Sequence, residues 1–137
     1  MKNNRIVYGG LFAILLIFII SVIGCTAGGL NGTWEYDDED GVEITFDNRN
    51  VEISIDDMPF RRGTYTTRNK EITITWTHQH GGIFGMEDKW YTVEEFLSVF
   101  QFVDFTTSPS PFSISGNKLT LTTVTQGGTY VDTLTRK

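Results

Sequence analysis

The chain has 137 residues, a single cysteine, and 11 basic against 17 acidic residues, for a net charge of −6. Such acidity argues against nucleic acid as a partner, because that affinity rests on basic groups neutralising phosphates. One cysteine excludes an internal disulfide, and the length suits one small domain.

The first segment is a positive region, Lys2 and Arg5, ahead of an unbroken apolar run over residues 11–20. Val22, Ile23 and the small Gly24 then lead to Cys25. This order of charge, apolar core and small residue is that of an export signal. Residues 22–25, Val-Ile-Gly-Cys, resemble the lipobox of bacterial lipoproteins. The resemblance implies that residues 1–24 are a signal peptide, removed on export. It also implies that Cys25 is lipidated on sulfur and its new amino terminus acylated, for example with palmitate. The alternative is an uncleaved helix over residues 6–23, 18 positions interrupted by Gly9, Gly10 and Ser21, at the low edge of bilayer-spanning length. Under either reading the remainder works outside the cytoplasm.

An acylated Cys25 is no thiol, so neither a cysteine nucleophile nor a thiolate metal site is expected. Residues 25–31 become a lipidated tether. The stretch from Cys25 to Gly32 reaches at most about 28 Å, at ~3.5 Å per residue. Loss of residues 1–24 removes Lys2 and Arg5, leaving nine basic against 17 acidic residues, or −8. Anionic phospholipid repels such a surface, so the lipid is what holds it at a membrane. By the same resemblance, Thr26 in place of Asp after the cysteine implies the outer membrane of a diderm cell envelope, or the surface of a cell with one membrane.

From Thr33 the pattern is alternation with a period of two, the mark of half-buried strands. Strands are expected at residues 33–37, 42–46, 51–55, 62–67, 71–77, 111–115, 118–124 and 129–137, with Met58, Pro59 and Phe60 in a loop. Turns of two to five residues join nearly all of them. Threonine on the outer faces suits a solvated strand surface. Eight short strands can close on themselves and so remove exposed edges. The expected fold is all-β, an eight-stranded antiparallel up-and-down barrel, over residues 32–137. A two-sheet sandwich with Greek-key crossovers is the alternative, but it needs longer connections.

One long connection breaks the meander, and within it residues 92–103 read as a helix inserted between strands five and six. Thr92 and Glu95 have capping-box spacing, and Val93, Phe96, Leu97, Phe100 and Val103 share a face.

Gly32-Thr33-Trp34 opening the first strand, with Arg136 closing the last, resembles the lipocalin-like (calycin) barrels, small bacterial lipoproteins among them. The resemblance implies that Trp34 packs at the closed end with Arg136 over it, a structural role for Gly32, Trp34 and Arg136. It also raises the expectation of a small hydrophobic ligand. A second Thr-Asp-Tyr motif and the carboxy-terminal helix of typical lipocalins have no counterpart in the sequence.

Tyr65, Trp76, Phe96, Phe100, Tyr130 and Asp132 are the candidate residues of a ligand cavity or its lid. The aromatic residues of the long connection would either cover an open mouth or fill a narrow barrel. Asp132 faces the interior unless a bulge turns it outward, and Arg49, Arg61 or Arg62 are candidate partners for it. His78 and His80 could form a metal pair with Glu87 and Asp88, but a polar strand end running into a glycine loop is the simpler and preferred explanation. No metal or other cofactor is expected. Glu94 and Glu95 suit a helix start, and no nucleophile stands in a recognisable catalytic setting. An enzyme is therefore not expected. Two readings compete: a carrier of a small apolar molecule, and a filled barrel whose loops engage an envelope or host protein as scaffold or protease inhibitor, with an apolar patch around residues 81–90.

Overall fold

The computed structural model describes residues 29–101, 103–105, 108–125 and 127–137. Strands β1 (Gly32–Tyr36), β2 (Val42–Asp47), β3 (Asn50–Ile55), β4 (Met58–Arg68) and β5 (Glu71–His80) follow one another as an antiparallel meander. A 3-10 turn (Gly82–Phe84), the short strand β6 (Trp90–Thr92) and the helix α1 (Val93–Val99) make up the excursion. Strands β7 (Ser110–Ser115), β8 (Lys118–Thr125) and β9 (Gly128–Arg136) complete the chain. β9 pairs with β1, and β4 with β5, so eight strands close into an antiparallel barrel.

The turns explain the tight register. Asn48-Arg49, Asp56-Asp57 and Asn69-Lys70 all have positive φ and sit in two-residue loops between paired strand ends. Two successive left-handed residues twist a hairpin in the sense its strands require.

Three expectations are corrected. Met58, Pro59 and Phe60 belong to β4 rather than a loop. Pro59 lies opposite Ser54, where the β3–β4 register shifts, and an irregular ladder tolerates its missing N–H. The extra strand β6 pairs with His78, Gln79 and His80, so α1 lies between β6 and β7 in chain order rather than between strands five and six. The helix also stops at Val99 instead of residue 103. Its start is as expected: Thr92 and Glu95 form both bonds of the capping box. Its end is tertiary, because Phe100 leaves helical geometry to stack on Phe96.

The core lies at one end of the barrel. Leu30, Trp34, Ile44, Phe46, Val51, Tyr65, Ile72, Leu119, Leu121 and Leu134 are buried together. Leu30 belongs to the segment read as tether, and it is as buried as the strand residues around it. Among the described residues no helix is long and apolar enough to cross a membrane.

Candidate functional site

The closed end is built around Trp34, which is fully buried. Its indole N–H donates to the Leu30 carbonyl at 2.8 Å. Trp34 and Arg136 are register partners across the β1–β9 seam, and the guanidinium carbon stands 4.2 Å from the ring centre. Arg136 also donates to the carbonyls of Asn31, at 2.9 Å, and Gly29. Gly32 makes room for it, since a Cβ there would lie 3.3 Å from Nη1 of Arg136. Gly32, Trp34 and Arg136 thus meet at the barrel floor. Cys25 lies outside the described residues.

Above this floor the interior is open. A cavity of about 830 Å³ is walled by Ile44, Ile53, Ile72, Ile74, Trp76 and Leu121, with polar groups from Tyr36, Asp104, Ser108, Ser110, Thr123 and Asp132. The volume is within the range of small-molecule sites. Its opening follows from the sheet. On the edge of β5 away from β4, the ladder involves β7 at Glu71 and Ile72 and β6 at His78, Gln79 and His80. Among the described residues, 73–77 have no strand partner on that edge. Asp104 and Ser108, ahead of β7 in the chain, and Ser110, paired with Ile72 at the start of β7, line the cavity.

The six candidate cavity residues separate into three groups. Trp76 and Asp132 line the cavity. Asp132 faces inward because it pairs with the inward Leu121 in an unbroken β8–β9 ladder. Tyr65 faces inward but lies at the floor, edge-on to Phe46 at 5.0 Å and donating to Asn31 Oδ1 at 3.0 Å. Tyr130 stands exposed near the rim. Phe96 and Phe100 are not among the described residues that line the cavity. They join Phe84 and Phe105 in a separate aromatic cluster, with Phe96 at 4.9 Å from Phe84 and 5.0 Å from Phe100.

Arg61 ties that cluster to the barrel. Its guanidinium carbon lies 4.5 Å from the Phe105 ring centre and 5.5 Å from that of Trp76. Its Nε donates to Gln79 Oε1 at 2.9 Å, and Gln79 Nε2 donates to the Phe60 carbonyl at 2.5 Å. Burial works against the Arg61 charge, while Asp104 supports it. Arg62 lies over Trp90 instead. None of the three candidate arginines pairs with Asp132 among the described residues.

His78 and His80 do not converge on a shared site. His78 Nδ1 lies 2.9 Å from the Thr77 hydroxyl, and buried His80 packs edge-on to Trp90, 3.7 Å from Asp88. Among the described residues, no three His, Cys, Asp or Glu side chains group as a metal site.

Sequence reasoning missed Tyr36 and Asp104. Tyr36 was accessible to it, because it alternates with Trp34 on β1 and shares its inward face. Burial, followed by the negative charges of Asp132 and Glu39, pushes the Tyr36 phenol up to about 12. The folded state therefore holds this proton more tightly than the unfolded chain. That contribution to stability is whole below about pH 10 and is lost as the pH rises towards about 12. Alkaline unfolding followed by circular dichroism should shift to higher pH in Tyr36→Phe; an unchanged midpoint would show that Tyr36 is not the group responsible.

No protein-family model, no curated protein and no solved structure matches this chain. What the fold defines is a closed eight-stranded antiparallel barrel, packed at one end and hollow at the other.

Proposed function

We propose that this chain is a lipid-anchored, lipocalin-like binding protein that carries a small, largely apolar molecule in the hollow half of its barrel. The observation that carries the reading is the division of the interior. A packed floor gives way to a cavity of about 830 Å³ whose wall combines four isoleucines, Leu121 and Trp76 with the polar side chains of Tyr36, Asp104, Ser108, Ser110, Thr123 and Asp132, a size and mixed lining that suit a small-molecule site. The lipobox-like residues 22–25 support anchoring through Cys25 at the cell envelope, with the outer membrane as its place in a diderm cell. The polar part of the cavity wall is two carboxylates, one phenol and three hydroxyls, with no histidine or lysine among its described residues.

A second reading has its own observation. The large exposed apolar side chains Met58, Ile83, Val99, Val124, Tyr130 and Val131 lie on the excursion or on turns and strand ends away from Trp34. Such a rim could meet an envelope or host protein.

Native mass spectrometry distinguishes the two. The barrel closes within residues 29–137, so residues 26–137, made without lipid and purified without detergent, are a suitable folded unit. A carrier exposed to a bacterial lipid extract retains an added mass that is released on unfolding. Ile74→Trp and Thr123→Trp, which fill the cavity, should abolish uptake while the proteins stay folded. A bare mass in every preparation would remove the carrier reading and leave the rim as the functional surface.

A further inference from the structure

Resting on the carrier reading, we propose that the cavity selects an apolar organic cation, an amine or quaternary ammonium compound with a hydrophobic body, over fatty acids and other anions. The argument is the sign and placement of charge around the cavity. Its described lining residues include two carboxylates, Asp104 and Asp132, and no lysine, arginine or histidine. The two carboxylates are not equivalent. Asp104 acts on the charge of Arg61, whose guanidinium is spread over the Phe60, Trp76 and Phe105 rings. Asp132 has no cationic partner among the described residues and faces the cavity beside Tyr36.

A ligand's head group meets this asymmetry directly. A carboxylate or phosphate entering the cavity would be brought against Asp132 in a partly desolvated space whose described lining carries no cation; Arg61, over the Trp76 ring of the wall, is already engaged by Asp104 and Gln79. An ammonium would pair with Asp132 and present its remaining surface to the Tyr36 ring, whose π face attracts cations. The isoleucines below, Ile44, Ile53, Ile72 and Ile74, receive the apolar body. The hydroxyls of Ser108, Ser110 and Thr123 complete a wall that can accept hydrogen bonds from an N–H donor.

Three probes with one tail test the class by isothermal calorimetry on residues 26–137: dodecyltrimethylammonium and dodecyl sulfate below their micelle concentrations, and dodecanol below its solubility limit. The cation should bind about tenfold or more tighter than either of the others. Asp132→Asn should remove most of that preference, and Asp132→Glu should restore it. Asp38→Asn takes the same charge from the exposed β1–β2 turn and should leave the preference within about twofold, since exposed charges are screened.

Equal affinities for the three probes in the wild-type protein would overturn the cation class while leaving the carrier standing, and this comparison needs no variant to fold. An equal loss in Asp38→Asn and Asp132→Asn would also overturn it, tracing the preference to overall acidity. No binding of the cation, with an occupant still recovered from lipid extract, would reject the class alone. No binding of any probe together with a bare mass from the extract would reject both the class and the carrier.

Discussion

Trp34→Ala should lower the unfolding free energy by about 3–5 kcal/mol, the range for truncating a buried large aromatic side chain. Three separate losses contribute. The substitution empties a fully buried site at the centre of the core cluster. It leaves the Leu30 carbonyl without its indole donor. It also takes away the ring beneath Arg136. For a domain of this size, with a total stability of about 5–15 kcal/mol, that is a large share. Trp34→Phe separates the terms. It keeps most of the apolar volume and a π face, so its cost should be nearer 1–3 kcal/mol, dominated by the unpaired carbonyl. Arg136→Met should cost about 0.5–2 kcal/mol for the cation–π contact, plus the hydrogen bonds to residues 29 and 31. Urea titrations of all three would measure the series. A Trp34→Ala protein within about 1 kcal/mol of wild type would show that the floor does not hold the barrel together.

Gly63→Val should be at least as damaging, through the backbone rather than a cavity. Gly63 sits where the β4–β5 register shifts, opposite Trp76. A Cβ at this position would fall onto the Thr75 carbonyl and within 2.9 Å of the Trp76 Cα. Neither atom can rotate away, so the two longest strands must separate. A loss of about 3 kcal/mol or more is expected, at the upper end of overpacking effects. Gly63→Ala already adds the offending atom and should show most of the penalty. Gly116→Ala is the control. Its φ of 60° strains an alanine, but a Cβ there would meet nothing within 4 Å, so about 1–2 kcal/mol is expected. If Gly63→Ala and Gly116→Ala melt alike in denaturant, the close approach at the bulge is not what limits residue 63. The same experiment bears on the site, because moving β4 from β5 would displace Arg61 from Gln79 and Trp76 from the cavity wall.

The barrel was readable in the sequence because alternation assigns each strand residue to a face, and short turns leave consecutive strands few arrangements. Closure makes the first and last strands neighbours, so Trp34 and Arg136 can meet; that the two are brought together is an expectation drawn from the resemblance to lipocalin-like barrels, not from alternation. What alternation leaves undetermined is height along the barrel. Tyr65 and Asp132 both point inward, yet Tyr65 lies in the packed floor and Asp132 in the hollow above it. Height depends on strand stagger, which is a property of the closed sheet rather than of any one strand. The helix shows a similar division. Its first turn is coded locally by Thr92 and Glu95, whereas its last is set by Phe100 packing on Phe96 and Phe84, contacts that periodicity does not register. Asp104 carried no signal at all, because it lies ahead of β7, outside any strand or helix.

The bond from Arg136 to the Gly29 carbonyl fixes where the chain enters the barrel: beneath the floor, beside Trp34. A lipid on Cys25 would stand four residues before that point, a reach of at most about 14 Å at ~3.5 Å per residue. Anchored in that way, the protein would be a cup standing on its base, its sealed end towards the bilayer and its hollow end facing away. Its cargo would then be exchanged with the compartment in front of the membrane rather than drawn from the leaflet beneath. The molecule it serves would have to arrive dissolved, or be handed over from the opposite side.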